Sequence, residues 1–547
     1  MKKAKPAPEP LPVDYSGIVA VCGALLSFIA FLFFYRRSEI LLYGDAVAHI
    51  NIARRIFDCR EPGIRQLGTV WLPFPHLLMI PFLLSDNFWV SGIGGSLPSM
   101  AAFVLGGVGL YRLVAARTSH ALGWFAAAVY LLNPNLLYMQ ATAMGESVYL
   151  ALMIWSIVYL DAFARALQTT DAKPAGMLPA STALTRCAIV LACAILTRYD
   201  GWFLAGACGV AALILLLRHW QQLWQKRQRG LLRAAMNFTL LCALTPALWL
   251  SYNYLLSRHP LDFANGPYSA KAISERTTPK GAPPYPGKDH PATAVLYFLK
   301  AAKLNMAEGH WQFALMAAIV LGAIATAVAF RGGWIWLLLW TPLVFYAFSI
   351  AYGSVPIFLP EWWPFSFYNV RYGLELLPAF AVSLAMLASI GKRFGVQQRW
   401  QLAVPVVVVA LVAGGYAWSW RATPICLREA RANGKARMSL DTAVARYIAA
   451  MPPNATILMQ TGSYVGALQL ADRHLDRVIW EGVFWQWEGA LNQPAQDADY
   501  VIAFDDDMVS QAAHVHPEGL QSMLVLHVEG QPPATLYRSL VRDARPL

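Results

Sequence analysis

Gly17-Ile18-Val19-Ala20-Val21-Cys22-Gly23-Ala24-Leu25-Leu26-Ser27-Phe28-Ile29-Ala30-Phe31-Leu32-Phe33-Phe34-Tyr35 runs for nineteen residues without a charge. About 20 apolar residues let a helix cross a bilayer with every backbone N–H and C=O satisfied inside the segment. Lys2, Lys3 and Lys5 precede the run. Arg36 and Arg37 follow it with no small-residue cleavage site, so it reads as an uncleaved anchor rather than a signal peptide. Ten further apolar stretches follow, near 92 to 114, 121 to 139, 145 to 163, 184 to 197, 201 to 217, 234 to 256, 311 to 330, 334 to 352, 373 to 390 and 401 to 420. The whole chain agrees. Of 547 residues 57% are hydrophobic and 14% charged, and the mean hydropathy is +0.44, which excludes an ordinary soluble domain.

The expected architecture is therefore a polytopic α-helical membrane protein of about eleven spanning helices. Orientation follows the placement of Lys and Arg in short loops. With the N-terminus (1–16) inside, the cytoplasmic loops receive Arg112 and Arg117, then Arg165 and Lys173, then Arg218, Lys226, Arg227, Arg229 and Arg233, then Lys392, Arg393 and Arg399. Arg36-Arg37 is the main exception. An odd span count places everything from 421 to 547 outside a cell membrane, the inner one in a bacterium. That tail holds 11 Lys and Arg against 14 Asp and Glu, the remainder 32 against 17. The basic surplus thus belongs to the membrane part (17–420), which suits anionic lipid headgroups and argues against nucleic acid.

Two loops outside the membrane are long. In 38–91 the run Trp71 to Leu84, broken by Pro73, Pro75 and Pro81, reads as interfacial amphipathic helices. In 257–310 a Pro/Gly-rich stretch, 281–287, is surrounded by Lys271, Lys280, Lys288, Lys300 and Lys303. The tail shows helical spacing at 439–451 and apolar strands at 455–460, 477–480, 500–504 and 523–528, the pattern of a small α/β domain. It has no glycine-rich phosphate fingerprint, and Asp505-Asp506-Asp507 lacks the spacing of a calcium loop and reads as a solvated turn. Cys59 and Cys426 are the two cysteines predicted outside, where a disulfide could form.

Four clusters carry residues able to do chemistry. Tyr43-Gly44-Asp45-Ala46-Val47-Ala48-His49 follows the first span, so Asp45 stands at the interface, placed to act as a general base or simply to cap a helix. His49 lies four residues on, on the same helical face. Glu146, in Ala143-Met144-Gly145-Glu146-Ser147, falls where one span ends and the next begins; a charge there needs a wet cavity, a partner or an interfacial cap. Thr197-Arg198-Tyr199-Asp200 interrupts two short apolar runs, as a break lining a cavity does, and Arg198 and Asp200 can pair with each other. Arg371-Tyr372, in Tyr368-Asn369-Val370-Arg371-Tyr372-Gly373-Leu374-Glu375, precedes a late span; a guanidinium there can fork onto a phosphate or snorkel to headgroups.

In order and topology these places resemble the GT-C superfamily of polytopic glycosyltransferases, especially the bacterial relatives of protein O-mannosyltransferases and lipid A aminoarabinose transferases. The matching residues are Asp45 after span one, the Pro-rich interfacial segment Pro73 to Phe82, Glu146 between spans three and four, and Arg371-Tyr372 before a late span. The resemblance covers the layout of residues 15 to 420 and also implies an outward C-terminal domain. It implies transfer of a sugar from a polyprenyl-phosphate donor to an acceptor hydroxyl on protein, lipid or polysaccharide, usually with inversion. Asp45 would be the base, Glu146 would orient it or the acceptor, and Arg371 would neutralise the leaving phosphate. Tyr372, His49, Arg54, Arg55 and Arg198 would be further substrate-binding candidates. No cofactor is called for. A divalent ion is compatible with the chemistry, but Ala46 to His49 stand where many relatives carry a second acidic residue, and no metal site is assigned. The competing expectations are a transporter or flippase of a lipid-linked or polar substrate, suggested by the interrupted span at Asp200, and a non-catalytic assembly protein.

Overall fold

With no water in the bilayer to serve its peptide groups, an apolar chain satisfies them in helices, and helices dominate the computed structural model of this protein. Residues 14–169, 177–221, 229–279, 281–330, 332–393, 397–505 and 507–544 are described. Lys2, Lys3, Lys5, Lys173, Lys226, Arg227, Lys280 and Asp506 lie outside the described residues, as do the side chains of Lys392, Arg393 and Arg399.

The helices that carry the argument are α1 (Ser16–Arg36), α2 (Gly44–Arg55), α3 (Phe74–Leu83), α4 (Ile93–Ala115), α5 (His120–Leu131), α6 (Glu146–Gln168), α7 (Ala180–Ile195), α8 (Asp200–Arg218) and α9 (Arg229–Ser257). They continue as α10 (Pro291–Met306), α11 (Trp311–Ala329), α12 (Thr341–Tyr352), α13 (Leu377–Arg393), α14 (Gln398–Ala422) and α15 (Ile425–Ala450). Among the described residues nine helical segments are long and apolar enough to cross a membrane. The shorter α5 and α7 stand where two further spans are expected.

Local chemistry accounts for the departures. The stretch expected to span continuously over 121–139 stops at Leu131 and restarts at Pro134. Pro134 cannot donate to the previous turn, and the Asn133 side chain caps the new helix by accepting from the backbone N–H of Asn135 and Leu136 at 3.0 and 2.9 Å. The span expected from 373 opens as a 3₁₀ segment, Val370–Leu376, before α13. The long loop after α9 holds a 16-residue helix, α10, whose Phe298, Ala301 and Ala302 are buried. Cys59 and Cys426 are both buried free thiols and do not form the disulfide that a shared outside position would have allowed. The Cys426 Sγ sits 3.1 Å from Asn305 Oδ1, inside the fold rather than at its surface.

Beyond α14 the chain turns at Thr423-Pro424, Thr423 adopting φ +67°, into the charge-rich α15. A five-stranded sheet follows: β1 (Ile457–Met459), β2 (Val478–Ile479), β3 (Tyr500–Phe504), β4 (Leu520–Leu526) and β5 (Ala534–Ser539), in the order β2-β1-β3-β5-β4. The first three strands are parallel; β5 runs antiparallel to both β3 and β4. Every residue of β3 is buried, as a central strand requires. The fifth strand was not among those expected. Asp505 stands in an exposed turn, as expected, and Asp507 caps the helix that follows, its carboxylate accepting from Ser510 N–H.

Two glycines permit the approaches that build the site. A methyl on Gly373 would collide with the backbone of Ala301, so the 370–376 segment lies directly on α10. A methyl on Gly434 would collide with the Leu42 carbonyl oxygen, so α15 rests on the elbow joining α1 to α2. Gly434→Ala is expected to cost about 1–3 kcal/mol, the usual penalty of overpacking, and to lower the Tm of the purified protein; an unchanged Tm would show that α15 can move away freely.

Candidate functional site

Successive spans alternate in direction. The end of α1, the starts of α6 and α8, the 370–376 segment and the start of α15 therefore meet at one end of the bundle. Asp45, Glu146 and Asp200 each occupy the first turn of a helix, where the positive end of the peptide dipoles favours a carboxylate. Glu429 comes from α15 and Arg371, Tyr372 and Glu375 from the 3₁₀ segment.

Arg371 is the hub. Its Nη2 lies 2.5 Å from Asp45 Oδ2, its Nε 3.2 Å from Glu146 Oε1, and its Nη1 3.6 Å from Glu429 Oε1. Glu429 also accepts from the backbone N–H groups of Val370 and Arg371 and from the Tyr43 hydroxyl. Arg198 forms a second hub, 3.4 Å from Glu146 Oε1, 3.4 Å from Asp200 Oδ2 and 3.0 Å from Glu375 Oε1. The Tyr346 hydroxyl accepts from Arg198 and donates to Glu375, 2.7 Å each way. The Tyr372 ring packs against both guanidiniums, 5.0 Å from Arg198 and 5.1 Å from Arg371.

Five carboxylates thus surround two guanidiniums. Dehydrated charges survive only when paired and hydrogen-bonded, which explains the density of contacts. Exposure separates the members. The side chains of Glu146, Asp200, Glu375 and Glu429 are at most 2% exposed, whereas that of Asp45 is 44% exposed. Asp45 is therefore the carboxylate of this network that an incoming molecule can reach, while its partner Arg371 is nearly buried. Glu146 Oε2 is buried and has no hydrogen-bond partner among the described residues.

His49, one turn beyond Asp45 on α2, has its Nδ1 2.8 Å from His76 Nε2, and Trp71 packs against its ring at 4.6 Å. Burial lowers the pKa of both imidazoles, that of His76 further. Both are neutral near pH 7, so one donates to the other.

The structure brings Asp45, Glu146, Arg198, Arg371 and Tyr372 together, with His49 on the Asp45 face of α2. Arg54 goes elsewhere. Nine residues beyond Asp45 at about 100° per residue, it points from the opposite side of α2. There it pairs with Asp58 and Asp86 at 2.6 Å each, donates to the Leu83 carbonyl and stacks on Trp89. Arg54→Ala is expected to destabilise the protein by about 3–5 kcal/mol, because it leaves the buried Asp58 carboxylate with His474 alone. The check is Tm and yield on purification; a variant of normal Tm with weakened substrate binding would reverse this placement. Arg55 stacks on Trp480 at 4.5 Å, against the C-terminal sheet region. Arg198 does pair with Asp200, as its spacing suggested, and also binds Glu146 and Glu375. Glu375 lay within a stretch that drew notice for Arg371, and its role shows only through its contacts with Arg198 and Tyr346. Glu429 sits on a helix of mostly basic charges, outside the apolar runs whose edges drew notice. Among the described residues no group of three or more His, Cys, Asp or Glu is arranged to hold a metal ion.

No protein-family model and no curated protein matches the sequence. Solved structures do match the fold. ArnT from Cupriavidus metallidurans bound to undecaprenyl phosphate superposes with a TM-score of 0.56 at 14% identity, over 97% of this chain and 99% of that one. The same protein in its apo state gives 0.57 at 14% identity, over 95% and 97%. The Archaeoglobus fulgidus oligosaccharyltransferase in its apo form gives 0.47 at 11% identity, over 90% and 69%.

Proposed function

We propose that this chain, which has the GT-C fold, is a membrane glycosyltransferase that takes its sugar from a polyprenyl-phosphate donor and passes it to an acceptor hydroxyl. The observation that carries the reading is the contact of the solvent-reachable Asp45 carboxylate with the buried Arg371 guanidinium, 326 residues apart in sequence. A base for a hydroxyl and a cation for a phosphate are the two groups the reaction needs. The likeness to a structure holding undecaprenyl phosphate supports the donor class.

In this reading a donor phosphate enters beside Arg371 and competes with Asp45 for its Nη2, which frees the carboxylate. The acceptor hydroxyl oxygen attacks the anomeric carbon as the bond from that carbon to the phosphate oxygen breaks. The electron pair leaves with the phosphate, and the hydroxyl proton passes to Asp45. Attack opposite the leaving group inverts the anomeric centre. Arg371 neutralises the charge that accumulates on the phosphate, which no longer has to be solvated by water. Glu146, buried 3.2 Å from Arg371 Nε, fixes the guanidinium that Asp45 contacts and so orients the base. Arg198 and Tyr372 hold Glu146 and Arg371 in register, and His49 borders the acceptor side.

A donor with a long hydrocarbon tail stays in the leaflet, each buried CH₂ contributing about 0.8 kcal/mol, so its phosphate waits at the depth where α1 ends. The positive-inside bias assigns that end of the bundle, and residues 421–547, to the extracytoplasmic face of the cell (inner) membrane. The division into 1–16, 17–420 and 421–547 belongs to the same proposal. The test is purified protein in proteoliposomes with a labelled polyprenyl-phosphate sugar and a membrane extract as acceptor. Label covalently joined to a non-polyprenyl product is the expected result. Labelled donor that crosses the bilayer chemically unchanged would establish the transporter reading instead.

A further inference from the structure

Arg36-Arg37 breaks the positive-inside pattern that the rest of the chain follows, and the active-site network uses neither residue. Arg37 lines a cleft of about 830 Å³ between the elbow after α1 and the outer face of α15. Its other basic residues are Arg431, Lys435 and Arg446, spaced so that all project from one side of α15. One carboxylate lines it, Glu39, and that acid is already engaged. Arg431 donates to Glu39 Oε1 through Nε at 3.0 Å and Nη2 at 2.5 Å, and Arg37 lies 3.8 Å from Oε2. The Lys435 ammonium and the Arg446 guanidinium have no ion-pair or hydrogen-bond partner among the described residues. The cleft therefore carries uncompensated positive charge, with Leu42 and Met438 also in its wall.

Its place selects the kind of anion. Arg37 caps the C-terminal end of a spanning helix whose Leu25, Phe28, Ile29 and Phe33 are exposed to the bilayer. A molecule with its head in the cleft could lay its tail along that face of α1. We propose that the cleft binds the phosphate-bearing headgroup of a membrane lipid, at a site separate from the Asp45–Arg371 network. None of the residues lining it belongs to that network. The elbow it grips runs on through Leu42 into Tyr43 and Asp45, so a bound headgroup would brace the segment that presents the base.

The test is binding and does not depend on transfer activity. The full-length protein in detergent is titrated with phosphatidic acid, with diacylglycerol of the same chains and with inorganic phosphate, and bound lipid is counted by native mass spectrometry. Phosphatidic acid is expected to bind well above the other two. The double variant Lys435→Glu, Arg446→Glu, at two exposed and unpaired positions, is expected to weaken its binding about tenfold or more. The same charge change at Arg477 and Arg538, on the C-terminal sheet region, is expected to leave binding unchanged. Equal binding by the Lys435/Arg446 variant would overturn the proposal. So would an equal loss in the Arg477/Arg538 variant, or inorganic phosphate displacing the lipid at comparable concentration.

Discussion

Asp45→Asn is expected to slow sugar transfer by about 10²- to 10⁴-fold, the contribution of a positioned general base, while the protein still inserts and purifies normally. Asn is nearly isosteric, and its amide oxygen can still accept from Arg371, so the contact survives without the proton affinity. The stability cost is small because the Asp45 side chain is 44% exposed; a solvent-screened ion pair is worth at most about 1 kcal/mol. The loss should fall on kcat rather than KM, since the carboxylate acts as the hydroxyl loses its proton and not as the donor binds. An unchanged turnover in a correctly inserted variant would remove Asp45 from the mechanism. Unchanged donor binding with lost turnover would separate this role from the phosphate site.

Substitution of Arg371 should be more damaging, and in two ways that can be separated. Arg371→Met removes the hub of three carboxylates, leaving Glu429 buried with no guanidinium and Glu146 with Arg198 alone, 3.4 Å from its Oε1. Breaking a buried pair by deleting one partner costs about 3–5 kcal/mol. Loss of a charge-stabilising group at the transition state costs a further factor of about 10²–10³ in rate. Adding Glu146→Gln removes a buried charge left to share Arg198 with Asp200 and Glu375, so Arg371→Met/Glu146→Gln should regain Tm relative to Arg371→Met without regaining activity. Arg371→Lys keeps a charge but has no planar fork to span Asp45, Glu146 and Glu429 at once; its Tm should be nearer normal and its turnover still low. Recovery of activity together with Tm in the double variant would mean that Arg371 is only a structural counter-ion.

The membrane class and the positions of the spans were legible from composition because the bilayer imposes a length and an apolarity on each crossing. Helix ends were harder. Asn133-Pro134 splits one expected span, and its effect depends on a side-chain cap that hydropathy does not register. The missed strand Ala534–Ser539 alternates buried and half-buried residues weakly and gains its place from β3 and β4, its partners on either side. Cys59 and Cys426 lie in segments expected outside, yet both are buried thiols.

For the site, the short motifs around Asp45, Glu146, Arg198 and Arg371 drew attention because ionisable residues at the edge of apolar runs are costly to keep there. Arg54 drew it for the same reason, and helical phase alone sends it to the far side of α2. Local sequence determines which residues can cross a bilayer and which charges must find partners, because those are properties of a few consecutive side chains. Which partner each charge of the network finds was decided by the tertiary structure: segments as much as 326 residues apart meet at one end of the bundle, and a buried carboxylate pairs with whichever guanidinium the packing brings within reach. That is why Arg371 meets Asp45, whereas Arg54 misses it by helical phase.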